Sequence, residues 1–117
     1  MITFLVRCRL QDDDAKQAEA ERIIDNVVSS TLRDEPEAVS YNFFRSANDP
    51  RELILVESYV SNEAFLKHNT SPYMLRFRER FADLFDVPTN RVELLESIGG
   101  FGRTAYVKVR DSVGSAG

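Results

Sequence analysis

The sequence predicts one α+β domain in which helices cover one face of a four-stranded antiparallel sheet. Residues 2 to 10 alternate between apolar and polar side chains, as a half-buried strand does. Residues 20 to 32 instead carry apolar side chains three and four apart, which is typical of an amphipathic helix. Further strand-like runs occur at 38 to 46, 52 to 60 and 91 to 98. The length of 117 residues suits a single domain with one core.

Local signals predict where the helices begin and end. Three aspartates at residues 12 to 14 provide an N-cap and first-turn carboxylates for the first helix, and Pro36 closes it. Ser61 is suited to cap a short second helix. Ser71 is suited to cap a longer third helix, since Pro72 then occupies the first position, where no N–H is needed.

The predicted order is strand, helix, strand, strand, two helices, strand, which is the split βαβ or ferredoxin-like arrangement. Right-handed crossovers place the first and third strands in the middle of its sheet. The third strand is apolar on both faces, and Ile54 and Val56 point away from the helices. A second copy of the sheet is the simplest cover for that face, which predicts a homodimer.

The C-terminal region has two predicted parts. Residues 104 to 109 alternate like a strand, which we expect to extend the fourth strand or to cross to the partner subunit. We therefore assign residues 1 to 111 to the domain. Residues 112 to 117 are rich in glycine and serine, which predicts a disordered tail.

Composition restricts the partners and the location of the chain. The net charge is −4 with both signs interspersed, which weighs against nucleic acid as the main partner. No apolar stretch is long enough to span a membrane. The single cysteine, Cys8, cannot form an internal disulfide and fits a reducing compartment. We therefore expect a cytoplasmic protein that binds neither nucleic acid nor membrane.

The only histidine, His68, lies in the predicted second helix. Ala64, Phe65 and His68 share one face of that helix, which predicts that the imidazole is buried and needs a hydrogen-bond partner. A reference pKa of about 6.5 suits a catalytic base or a proton shuttle. The alternative is a structural histidine that bonds a free carbonyl near the helix end.

Glu57 is a second candidate, because it shares a strand face with Leu55 and Tyr59. If that face meets the helices, burial raises the pKa of the carboxyl unless a donor compensates. A contact from Glu57 to His68 or to a tyrosine would resolve the conflict. The alternative is a purely structural hydrogen bond between strand and helix.

Aromatic residues are frequent near these positions. Tyr41, Tyr59, Tyr73 and Phe77 are candidates to line a pocket for a flat ring, although each can equally be a core residue. Asn42 is polar on an aromatic strand, so it can orient a ligand oxygen or simply be exposed.

No metal or cofactor site is predicted. One histidine and one cysteine that are far apart in sequence do not form a metal-ligand set. No glycine-rich loop precedes a predicted helix, which argues against nucleotide or flavin binding by a standard motif.

The chain resembles the antibiotic biosynthesis monooxygenase family over about residues 2 to 101. The resemblance rests on Glu57-Ser58-Tyr59, Ser61-Asn62-Glu63-Ala64-Phe65, Lys67-His68 and Ser71-Pro72-Tyr73, with Tyr41, Phe43 and Asn48-Asp49-Pro50 upstream. It implies a dimeric α/β barrel. It also implies oxygenation without metal or flavin, in which a hydroquinone, phenol or anthrone loses a proton in a buried pocket and the anion reduces O2 directly.

In that chemistry His68 would be the base or shuttle, and Tyr59 or Asn42 would donate to the oxyanion. Tyr59 stands where many members have tryptophan, and Tyr73 where relatives often have a second histidine. The resemblance therefore favours a cofactor-independent monooxygenase. The alternative is a non-catalytic module that binds a small molecule on the same dimeric scaffold.

One branch of the family, which degrades haem, is not expected here. Its members have an asparagine on the first strand and a histidine on the last helix. Cys8 and Arg78 lie near those places in this chain.

Overall fold

The computed structural model describes residues 1–103, so the predicted strand at 104 to 109 and the predicted tail at 112 to 117 lie outside the described residues. The elements are β1 (Ile2–Arg9), α1 (Asp14–Asp34), β2 (Ala38–Arg45), β3 (Glu52–Tyr59), α2 (Asn62–Asn69), α3 (Pro72–Leu84), a 3₁₀ turn (Val87–Thr89) and β4 (Arg91–Leu95). The predicted α+β fold and its element order are confirmed.

The four strands form one antiparallel sheet in the order β2-β3-β1-β4. The central position predicted for the first and third strands is thus confirmed. Val6 on β1 lies opposite Leu55 on β3 and Val92 on β4, so these side chains share a face. β4 ends earlier than predicted, at Leu95. That residue pairs with Thr3 beside the start of β1, so little strand remains for further pairing.

Side chains cap the three helices at the predicted places. Asp13 accepts a hydrogen bond from the Lys16 amide at the start of α1, at 2.9 Å. Ser61 and Ser71 accept from the third residue of α2 and of α3, at 3.2 and 3.3 Å. α1 is the longest helix, at 21 residues. Within residues 1–103 no helix is both long and apolar enough to cross a bilayer.

The helices pack on one face of the sheet and bury the core there. The central cluster is apolar and comprises Cys8, Leu10, Ala20, Ile24, Leu53, Leu84 and Phe85. Among residues 1–103, no helix lies across the opposite face. Ile54 and Val56 are half-buried on that face, and Phe44, in register with Ile54, is 54% exposed. Within the described residues, a partly apolar sheet face therefore stays accessible.

Candidate functional site

A cavity of about 290 Å³ lies between the helix-facing side of the sheet and helices α2 and α3. Most of its wall is aromatic or aliphatic: Phe4, Val6, Tyr41, Phe43, Leu55, Phe65, Met74, Phe77, Phe81 and Val92. The polar or ionisable wall residues are Cys8, Glu57, Asn69, Arg78 and Asn90. Val92 lies on the helix-facing side of β4 yet is 64% exposed, so the cavity reaches solvent beside this edge strand.

Glu57 places a carboxylate in this apolar wall. It lies in the middle of β3, opposite Phe4 of β1 and Tyr41 of β2, and is 6% exposed. The Tyr59 hydroxyl donates to Glu57 Oε1 at 2.8 Å. Burial raises the pKa of Glu57; the bond from Tyr59 opposes this in part, and the nearby Glu35 carboxylate adds to the rise. Glu57 is therefore a stronger base than an ordinary carboxylate.

His68 is 1% exposed and pairs with a carboxylate that the sequence did not reveal. Its Nδ1 lies 3.1 and 3.0 Å from the two carboxylate oxygens of Glu35, a residue 33 positions earlier at the end of α1. The Tyr73 hydroxyl donates to the same carboxylate. The expected burial of His68 is confirmed, and its hydrogen-bond partner is this carboxylate rather than a helix-end carbonyl.

The His68 ring lies between tyrosines. Its centroid is 4.9 Å from that of Tyr41 and 5.4 Å from that of Tyr59. Burial lowers the pKa of His68, the Glu35 carboxylate opposes this, and the positive charge of Arg78 adds to the lowering. Its Nε2 is buried and, within the described part of the chain, has no hydrogen-bond partner. His68 does not line the cavity, whereas Tyr41 touches both the cavity and the imidazole.

The other predicted site residues lie in three different parts of the structure. Tyr41 and Phe77 line the cavity together with Glu57. Tyr73 reaches a separate groove between α1 and α3, which Arg22 and Arg76 also line. Asn42 is exposed and pairs in register with Val56, which places it on the uncovered sheet face.

Sequence reasoning missed three residues of this region. Nothing near Glu35 in the sequence predicts that it is buried, since an acidic residue before a proline at a helix end is ordinarily solvated. The charged neighbours of Arg78 predict a solvated helix surface, yet Arg78 lines the cavity and donates to the Asn69 carbonyl. Asn90 precedes β4, and its Oδ1 is buried without a partner among the described residues.

Two further observations bear on reactivity. Burial raises the pKa of Cys8 to about 12, so its thiol stays protonated in the cavity wall. Among residues 1–103, no three histidine, cysteine or acidic side chains converge as metal ligands do. The groups available for chemistry in this region are therefore carboxylates, the imidazole, phenols and a guanidinium.

The described residues thus form an α+β domain with an aromatic cavity between sheet and helices. The family model for antibiotic biosynthesis monooxygenase matches residues 1–80, and the chain belongs to this family. No curated protein matches the chain.

Solved structures share the fold. Rv0793 from Mycobacterium tuberculosis is 24% identical, covers 86% of this chain and 98% of its own, and superposes with a TM-score of 0.73. A protein named antibiotic biosynthesis monooxygenase is 17% identical over 85% of this chain and 100% of its own, with a TM-score of 0.73. PA3566 from Pseudomonas aeruginosa is 17% identical, covers 84% of this chain and 94% of its own, and superposes with a TM-score of 0.71. At these identities the likeness shows the fold alone.

Proposed function

We propose that this chain is a cofactor-independent monooxygenase, active as a cytoplasmic homodimer, that oxidises a quinol, phenol or polyketide-like aromatic ring with O2. The observation that carries the proposal is the buried Glu57 carboxylate in a cavity otherwise walled by aromatic and aliphatic side chains. A volume of about 290 Å³ is at the lower end for ligand pockets and fits a small ring system. Membership of the family supports the same class of chemistry.

The cavity residues have defined roles in this proposal. The ring packs against Tyr41 and Phe77, and Glu57 takes the acidic proton of the substrate. Arg78 supplies positive charge beside the anion that forms, and the apolar walls limit the access of water. Tyr59 holds the Glu57 carboxylate in place through its hydrogen bond.

Electrons and atoms balance without a further reactant. The substrate anion passes electrons directly to O2, and one oxygen atom bonds to the ring carbon. The second oxygen atom leaves as water with two hydrogens that the substrate has lost from its ring carbon and hydroxyl groups. For an anthrone, a ring CH2 thereby becomes a carbonyl.

Oxygen uptake tests this proposal. Purified protein is supplied with a panel of quinols, phenols and anthrones, with and without O2, and the product is analysed after reaction with ¹⁸O2. The proposal requires uptake that depends on protein and one labelled oxygen atom in the product. Glu57→Gln should lower turnover by about 10²-fold or more, the usual effect of losing a general base. Glu52→Gln, on the same strand but partly exposed, is the matched control.

A second candidate function is a non-catalytic module that binds a small aromatic molecule. It is favoured by one observation: Tyr59 and His68, both expected from the sequence to act in catalysis, do not line the cavity. Under this alternative, panel members bind with the same affinity with and without O2, and no oxygen is consumed.

A further inference from the structure

We propose that the groove between α1 and α3 binds a small organic carboxylate, held between the guanidinium groups of Arg22 and Arg76. This groove is separate from the cavity between sheet and helices, and the proposal does not depend on the monooxygenase function. Its volume is about 350 Å³, which is within the range of small-molecule sites.

Ion pairs between α1 and α3 show how the two helices face each other. Lys16 on α1 lies 3.2 Å from Asp83 on α3. One turn further along α1, Glu19 lies 2.6 Å from Arg80, which is one turn earlier on α3. Positions that advance along α1 therefore meet positions that recede along α3, so the two helices run antiparallel.

The next pair of facing positions holds two cations. Arg22 lies one turn after Glu19 on α1, and Arg76 lies one turn before Arg80 on α3. Both arginines line the groove. Each of the two preceding pairs joins a cation to an acid, whereas like charges at this pair repel each other. An anion bound between Arg22 and Arg76 would take the place of the missing carboxylate.

The acids that line the groove do not neutralise both arginines. Glu19 uses both of its carboxylate oxygens to bind Arg80, at 2.6 and 3.0 Å. Glu79 lies one turn after Arg76 and offsets one charge. Among residues 1–103, neither Arg22 nor Arg76 forms an ion pair. One positive charge therefore remains in the groove, which favours a carboxylate over a phosphate dianion.

The other lining residues suit the body of an organic acid. Ile23 and the ring of Tyr73 give the groove an apolar part, since the Tyr73 hydroxyl is already bonded to Glu35. A guanidinium presents its N–H groups as a fork that matches the two oxygens of a carboxylate. The carboxylate thus lies between the two arginines, and the apolar part of the ligand packs against Ile23 and Tyr73.

Titration of the full chain with benzoate, followed by backbone ¹H–¹⁵N NMR, tests this site. Benzoate joins a carboxylate to a ring, whereas acetate lacks the ring and benzyl alcohol lacks the charge. Spectra are recorded at low ionic strength, because salt screens exposed charges. We expect saturable shifts at the groove residues of α1 and α3, with a dissociation constant on the order of 1 mM for so small a ligand. Acetate and inorganic phosphate should bind more weakly than benzoate, and benzyl alcohol should not bind.

Substitution of either arginine should weaken this binding. Arg22→Gln and Arg76→Gln should each raise the dissociation constant of benzoate by about tenfold or more, because each removes a charge-assisted contact. Arg22→Glu should abolish binding without lowering the melting temperature, since it places an acid opposite Arg76. Arg91→Gln removes an exposed arginine on β4 and is the control, which should bind benzoate as wild type does.

Benzoate can also enter the cavity between sheet and helices, and Arg78→Gln separates the two places because Arg78 lines that cavity. Binding that is weakened by Arg78→Gln but not by Arg22→Gln or Arg76→Gln would place the acid in the cavity and overturn the groove site. The proposal would also be overturned if inorganic phosphate bound more tightly than benzoate. Absence of saturable shifts in wild type at about ten times the expected dissociation constant would have the same consequence.

Discussion

Tyr59 and Glu57 project from the same face of β3, and the Tyr59 hydroxyl donates a 2.8 Å hydrogen bond to Glu57 Oε1 within the layer between sheet and helices. Their spacing of two residues puts both side chains on one side of the strand. The bond gives a buried carboxylate one donor, but burial still dominates and its pKa stays raised. The pair is thus held together while Glu57 remains a base in an apolar cavity.

Removal of the Tyr59 hydroxyl should destabilise the fold. We expect Tyr59→Phe to lower the free energy of unfolding by about 1–3 kcal/mol, because it leaves a buried carboxyl oxygen of Glu57 without its donor. Tyr41→Phe is the matched control, because the Tyr41 hydroxyl contacts only the weak acceptor Met74 Sδ, at 3.9 Å, among the described residues. Urea unfolding measures both. Equal losses in the two variants would contradict the special role of the Tyr59–Glu57 bond.

Glu57 should make the stability depend on pH in a specific direction. Its pKa is raised in the folded state, so the folded protein binds more protons than the unfolded chain above about pH 4.3. The free energy of unfolding should therefore fall as pH rises through this window until Glu57 is ionised in the folded protein. Glu57→Gln should lack this contribution. Unfolding curves of wild type and Glu57→Gln that stay parallel from acidic to neutral pH would contradict a raised pKa.

The sequence predicted the environment of Glu57 because strand alternation is a local property. Leu55, Glu57 and Tyr59 are two apart, so the apolar neighbours of Glu57 determine its face, and the structure confirms that this face meets the helices. The cap at Ser71 was predictable for the same reason, since Ser71, Pro72 and the helix that they begin are adjacent.

The partner of His68 could not be predicted in this way. Helical spacing correctly predicted that His68 is buried with Ala64. Its acidic partner, Glu35, lies 33 residues earlier, and the contact depends on how the end of α1 approaches α2 across the sheet. Such an approach follows from packing of the whole core, which no local spacing encodes. Arg78 was missed for a related reason, because only the position of α3 over the sheet brings one of its charged residues to the cavity.

Acidification should destabilise the protein through His68. Its pKa is lowered in the folded state, so below about pH 6.5 the unfolded chain binds a proton that the folded protein does not. The free energy of unfolding should therefore fall as pH decreases from about 6.5 towards the lowered value. His68→Gln should lack this loss, and with one histidine in the chain the difference between the two curves belongs to His68 alone. The prediction would be contradicted if the difference in free energy of unfolding between wild type and His68→Gln stayed constant across this pH window.

Loss of His68 should affect both turnover and stability. If the imidazole takes part in proton transfer, His68→Ala should lower oxygen-dependent turnover by about 10²-fold or more. The variant also leaves the buried Glu35 without its imidazole, which costs about 1–3 kcal/mol or more. Phe65→Ala is the comparison, since it removes a ring packed 4.4 Å from Phe4 and should cost about 3–5 kcal/mol. Full turnover by a folded His68→Ala would make His68 structural.

The uncovered sheet face should be the dimer interface. Ile54 and Val56 lie in its centre and Phe44 beside them, and these side chains are only partly buried in the single chain. A charge placed there would be desolvated in the dimer without a partner, so Val56→Arg should give monomer or aggregate. Leu66→Arg, an equivalent change at an exposed apolar residue of α2, should remain dimeric. Light scattering at micromolar concentration measures both, and a monomeric wild-type protein would refute the interface.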